Sequence, residues 1–237
     1  MALPKLTTPT YELEVPSTDE KVKYRPFLVR EEKILLIALE SGESEDIINA
    51  VKDIVTECTY GKVDLGTLPM FDVEYIFLNI RAKSVGEVST LRLLCPDDKE
   101  TYVNVDVDLS EIQVNVGEEH NPKIELTKEM GMIMGYPNID SMTNTGITEI
   151  NASNMLDVIG SCILQIYDKK GEEVYDAKDQ TKKELTEFIE SLNTKQFQEV
   201  QKFFDTMPKL RHTVELENPK TKVKSKIVLQ GLNDFFA

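Results

Sequence analysis

Two histidines, His120 and His212, and three cysteines, Cys58, Cys95 and Cys162, are the whole supply of imidazole and thiol groups in this chain. Nucleophilic catalysis needs an activated Ser or Cys with a base in reach. His120 lies in a loop rich in Asn, Pro and Glu, His212 begins a strand, and neither stands beside a nucleophile motif. Structural zinc needs a full set of Cys or His ligands in close pairs. Cys95-Pro96-Asp97-Asp98 occupies a hairpin turn, where a zinc ribbon would carry Cys-x-x-Cys. Asp98 holds the fourth position and no second pair follows, so Cys95 marks at most a degenerate site. Cys58 and Cys162 fall singly on apolar helix faces and are expected to pack as small hydrophobes.

Phosphate binding needs clustered glycines before a helix. Ser84–Glu87 and Gly131–Gly135 are too sparse in glycine for that. Asp106 and Asp108 alternate on one strand face, and Asp97 and Asp98 crowd a turn. Paired carboxylates can serve acid–base work or hold calcium, but a calcium loop also needs its glycine and its series of oxygen ligands. A solvated strand face is the expectation. The sequence therefore points to no catalytic residue, no cofactor and no metal, and to a protein that is not an enzyme. Two apolar features leave alternatives open. Met130, Met132 and Met134 form either an adaptable core or a binding groove. Phe235 and Phe236 must dock on this chain or on another, because paired phenylalanines left in water favour association.

Around these groups stands an acidic chain of 237 residues, with 42 acidic and 27 basic side chains and a net charge of −15. Nucleic-acid affinity rests on cations that neutralise phosphates, so a free nucleic-acid partner is not expected. An anionic membrane surface is disfavoured for the same reason, and a protein partner is favoured. No apolar run approaches the roughly 20 residues that span a bilayer. Residues 1–10 lack a signal-peptide core, and the cysteines are odd in number and far apart, so synthesis in a host cytoplasm with reduced thiols is expected.

Periodicity gives the elements. Tyr11, Leu13 and Val15 alternate and are answered by Val22–Tyr24, a hairpin. Helices are predicted over Glu31–Ser41, stopped by Gly42, and from Ser44 to near Cys58, with Ser44 as cap. A third runs over Met70–Ala82, opened by Pro69; it is apolar on most faces, Phe77 among them, and so belongs in a core or an interface. Val88–Leu94, Tyr102–Val107, Ile112–Val116 and Lys123–Leu126 read as strands. Thr127–Met134 looks helical. Ser153–Ile166 is helical or helix-then-strand, and Ile163–Tyr167 could pair with Glu173–Tyr175. Two amphipathic helices follow, Lys182–Ser191 and Thr194–Met207, with Thr181 and Thr194 as caps. A terminal hairpin sets His212, Val214 and Leu216 against Val223, Ile227 and Leu229. The expected fold is α+β, helices packed with short antiparallel β-hairpins in two lobes. The first covers 1–137, with a β-ribbon inserted at about 88–126; a linker or loop follows at 138–150; the second covers 151–237, a helix pair plus hairpin.

Several blocks, in order, carry a resemblance: Leu3–Leu6 with Pro9–Leu13, Lys23–Lys33, Leu78–Glu87, Ile124–Leu126, and Leu229–Leu232 with Phe235-Phe236. Together they resemble the baseplate hub subunit family of T-even-like contractile-tailed phages. The resemblance implies a structural or assembly component of a myovirus tail baseplate hub. It would act through contacts with other hub or wedge proteins, oligomeric within an assembly and located in the virion tail. It carries no catalytic motif to transfer. Some relatives hold cysteine pairs in the mid-chain hairpin where this chain has only Cys95. Candidate contact residues are Arg25, Arg30, Phe77, Arg81, Lys83, Phe235 and Phe236, since arginine pairs bidentately with carboxylates in interfaces. The rival readings are a transient hub assembly chaperone absent from the mature virion, a hub-associated hydrolase, and an acidic adaptor unrelated to phages.

Overall fold

The computed structural model of the protein describes residues 6–141 and 154–236. The first elements are strands β1 (Tyr11–Glu14) and β2 (Lys21–Tyr24) and helices α1 (Val29–Ser41), α2 (Ser44–Cys58) and α3 (Met70–Val85). Strands β3 (Val88–Leu94), β4 (Tyr102–Asp108), β5 (Gln113–Asn115), β6 (Lys123–Glu125) and β7 (Met130–Met134) follow. Then come α4 (Met155–Cys162), β8 (Ile163–Asp168), β9 (Glu173–Asp176), α5 (Lys182–Glu190), α6 (Thr194–Thr206), β10 (Lys209–Glu217), β11 (Lys224–Gln230) and α7 (Gly231–Phe236). All strand pairs among the described residues are antiparallel, in four small sheets, and the class is α+β as expected.

The chain forms two compact units. One comprises the described parts of Met1–Leu65, Phe71–Asn115 and Lys209–Ala237; the other comprises Gly66–Met70 and Val116–Pro208. This differs from the lobes drawn from sequence. The terminal hairpin joins the first unit because β5 pairs with β10, Leu210 opposite Val114, and β10 pairs with β11. A pairing between strands so distant in sequence leaves no local trace. Residues 142–153, most of the expected linker, lie outside the described residues.

In the first unit, β1 and β2 pair with Tyr11 opposite Tyr24, and the alternation buries Leu13, Val15 and Tyr24. Gly42 stops α1 in the left-handed conformation at φ 70°, which glycine adopts without steric cost. Helix α2 buries Ile48, Val51, Ile54, Val55 and Cys58 on one stripe. Helix α3 buries Phe71, Val73, Ile76, Phe77, Leu78 and Ile80, so it is a core helix. It begins at Met70, one residue after Pro69. A further core joins Leu78 to Leu91, Val107 and Ile112 and to Leu210, Val214, Leu229 and Phe235 from the terminal hairpin and α7.

In the second unit the sheet runs β6-β7-β8-β9. Here the predicted helix over Thr127–Met134 is a strand. Thr127 closes a tight hairpin, donating its N–H to the Met130 carbonyl at 2.9 Å and accepting from Met130 N–H at its hydroxyl, also at 2.9 Å. Met132 and Met134 then lie on one buried face, and pairing on both sides, with β6 and β8, overrides a helix-prone composition. Helix-then-strand holds for α4 and β8, and β8 pairs with β9. Thr181 caps α5 in a capping box with Glu184. Asn193, not Thr194, caps α6, accepting from Gln196 N–H at 3.0 Å, because a side-chain oxygen one residue earlier meets the open donors. The core gathers Ile124, Met132, Met134, Ile159, Cys162, Ile166, Ile189, Val200 and Phe203.

Candidate interaction surface

The groups best suited to chemistry are committed to the fold. The His120 ring has Nδ1 at 3.1 Å from the Thr206 hydroxyl and Nε2 at 2.9 Å from the Tyr136 hydroxyl. It packs against the rings of Tyr136 and Phe203, and burial pushes its pKa down. His212 sits within β10 opposite Leu229. All three cysteines are buried. Burial raises the Cys58 thiol to about 11 and the Cys162 thiol to about 12, which keeps both protonated and poorly nucleophilic at neutral pH. Among the described residues, no group of three His, Cys, Asp or Glu side chains is placed to hold a metal ion.

The carboxylates of the hairpin ends serve turns. Asp98 accepts from the backbone of Glu100 and Thr101 at 3.0 Å and from the Thr101 hydroxyl at 2.6 Å, which holds it well below the usual carboxylate range. Asp97 accepts from the Thr221 hydroxyl at 2.5 Å and from Asn218 Nδ2 at 3.1 Å, tying the β3–β4 turn to the β10–β11 turn. Asp106 accepts from the Thr90 hydroxyl at 2.6 Å. Asp108 caps the short turn Leu109–Glu111.

The residues expected at an interface divide. Phe77 and Phe235 are 0% exposed and belong to the core of the first unit, so neither offers surface to a partner. Phe235 therefore docks on its own chain; the backbone of Phe236 closes α7, and its side chain lies outside the described residues. Arg25 is buried too. Its Nη2 meets Glu31 Oε1 at 3.1 Å, and its Nη1 donates to the Pro26 carbonyl at 3.0 Å. Glu31 also accepts from Leu28 N–H at 2.6 Å and Arg30 Nε at 2.6 Å. Burial alone would push the Glu31 carboxyl up, but the hydrogen bonds led by Arg25 leave it below its ordinary value. Arg81 is partly buried, reaching the Ser89 hydroxyl at 3.3 Å, and burial pushes its guanidinium down. Lys83 pairs with Glu87 and lies 5.5 Å from the centre of the Tyr11 ring.

Arg30 is the expected contact residue that stays largely in solvent, spanning from α1 to Glu57 of α2 at 3.4 Å. It overhangs a surface groove lined by Ile34, Asp53, Ile54, Thr56 and Glu57, and a second beside Arg25, Tyr60 and Gly61. Beside it lies a surface the sequence reading did not single out. Helix α1 turns Glu31, Leu35 and Ala38 inward, while Val29 is 79% exposed, Leu36 54% and Ile37 56%. Its sequence signal is the uninterrupted apolar run Ile34–Leu39, wider than one inward stripe can absorb.

No helix among the described residues is long and apolar enough to cross a membrane. No curated protein and no solved structure matches the chain. A family model described as T4 bacteriophage base plate protein matches residues 8–237, a span that takes in nearly all of both compact units. The chain belongs to the T4 bacteriophage base plate protein family.

Proposed function

We propose that the protein is a structural or assembly subunit of the baseplate hub and works through contacts with other hub or wedge proteins, without catalysing a reaction. The observation that carries this is the reach of the family match, residues 8–237, joined to the placement of the hub-like blocks. Lys23–Lys33 forms the corner from β2 into α1, and Leu78–Glu87 ends α3. The two blocks meet where Phe27 N–H donates to the Ser84 hydroxyl at 2.9 Å. They build the platform that holds α1, not a cleft. The engagement of both His120 ring nitrogens, by Thr206 and Tyr136, supports a non-enzymatic reading, because a general acid or base needs a free face toward substrate.

Quantitative mass spectrometry of purified virions and of sedimented hub intermediates tests the reading. Expected is a fixed stoichiometry in hub intermediates and in finished tails, with hub assembly blocked when the chain is missing. Presence in intermediates but not in tails would turn the role into that of a transient assembly factor. Normal hubs without the chain would refute the proposal. Zymography of the purified protein on peptidoglycan is expected to show no clearing.

A further inference from the structure

The outer face of α1 carries Val29 and Leu36 one heptad apart, with Ile37 beside them, and Leu28 and Ile34 are also exposed. The heptad pair forms a ridge of about 10 Å along the axis, the spacing at which one helix seats another. A set of large aliphatic side chains on one helix face marks an interaction site more often than scattered exposure does. The surroundings specify what would sit there. Residues 29–58 contain eight carboxylates against the three cations Arg30, Lys33 and Lys52. Glu31 alone of the eight is buried; Glu32, Glu40, Glu43, Glu45, Asp46, Asp53 and Glu57 are all exposed. Lys33 stands on the same face between Val29 and Ile37, but over the two helices the exposed carboxylates outnumber the cations seven to three, a net charge that disfavours acidic chains and favours basic ones. A second copy of this chain would bring the same net charge against itself.

We infer that the outer face of α1, through Val29, Leu36 and Ile37, seats an amphipathic helix of another baseplate protein whose apolar stripe is flanked by lysines or arginines. This rests on the baseplate reading and adds the surface and the chemistry of its partner. The grooves about Arg30 and Glu57 lie on the flank of α1 that faces α2, where a partner lysine or arginine would reach Asp53 and Glu57.

The test places the photo-crosslinking amino acid p-benzoylphenylalanine at position 37 of the full chain, in cells assembling tails. Crosslinked peptides are then identified by mass spectrometry. The expected product joins this chain to a baseplate protein, at an apolar segment with at least two Lys or Arg within a helical turn. Its yield falls at least tenfold when Glu40, Glu43 and Asp53 are changed to Lys. Leu36→Gln with Ile37→Gln is expected to keep its melting temperature, since both side chains already face water, and to lose at least tenfold of its incorporation into hub intermediates. Crosslinking to a second copy, within the chain, to lipid or to an acidic segment overturns the inference. So does undiminished incorporation of the double variant; if that variant melts lower, the crosslinked peptide alone decides. Wild-type protein in the same gradients separates the two levels. If it enters no tail intermediate, the baseplate reading fails; if wild type and variant both enter, only the α1 inference fails.

Discussion

Arg25→Met should cost the protein about 3 kcal/mol. The Arg25 and Glu31 side chains are only 9% and 3% exposed, and their contact is 3.1 Å. Breaking such a pair by removing one partner costs about 3–5 kcal/mol, because the other charge stays behind without compensation. Two donors, Leu28 N–H and Arg30 Nε, each at 2.6 Å, would still serve Glu31, which places the loss at the low end. At about 2–4 °C per kcal/mol for a chain of this size, the first unit should melt about 6–12 °C lower. Adding Glu31→Leu removes the stranded charge, and the double variant should recover to within about 1–2 kcal/mol of wild type, the remainder being the lost cap on Leu28 N–H. The pH dependence has a definite sign. Glu31 has a lowered pKa in the folded state, so its contribution is full above the unfolded glutamate value and is lost as pH falls through the folded one. Wild type should lose stability below about pH 4, and Glu31→Gln should lose less over the same range. Differential scanning calorimetry from pH 7 to pH 3 measures both effects. An Arg25→Met protein that melts within about 1 °C of wild type would refute the reasoning, since this pair fixes the entry into α1.

Other consequences can be measured on the same protein. His120 has a depressed pKa in the folded state, so its contribution is full above the unfolded histidine value and fades as pH falls through the folded one; the urea midpoint of wild type should drop as pH falls below about 6.5, and that of His120→Gln should drop less. Gly131→Ala would drive a Cβ into the Tyr167 hydroxyl and to 2.5 Å from the Ile124 carbonyl, costing about 1–3 kcal/mol by urea unfolding, with partial recovery when Tyr167→Phe is added. A thiol-reactive dye should label Cys58, Cys95 and Cys162 only after denaturation, and chelation with EDTA should leave the melting temperature unchanged.

Local rules carried far where the decisive interaction is local. The alternation of Tyr11, Leu13 and Val15, the stop at Gly42 and the cap at Thr181 each lie within a few residues, and each forms as expected. Where partners lie far apart in the chain, local sequence carries no signal. Nothing near Gln113–Asn115 announces that β10 will pair with it about a hundred residues later, so the boundary between units was misplaced. The stretch Met130–Met134 has helix-prone side chains and became a strand because β6 and β8 flank it. Arg25, Arg30, Arg81 and Lys83 look alike in the sequence as basic groups in an acidic chain, and charge alone does not separate the buried Arg25 from the exposed Arg30. Phe77 and Phe235 stay open between core and contact in the sequence, because hydrophobicity shows that a side chain needs cover without showing whose atoms supply it.

The first unit is threaded from three stretches of chain, and its last two strands and closing helix come from residues after 208. A ribosome releases these after the nested stretch 116–208, which can mature while the layer around Leu78 and Leu91 still waits for Leu210, Val214 and Phe235. A product halted near residue 208 would hold the nested unit whole and leave Leu78, Leu91 and Val107 open to water, a form suited to proteolysis and not to particle building. Completion of the outer unit thus depends on chain that follows the nested one.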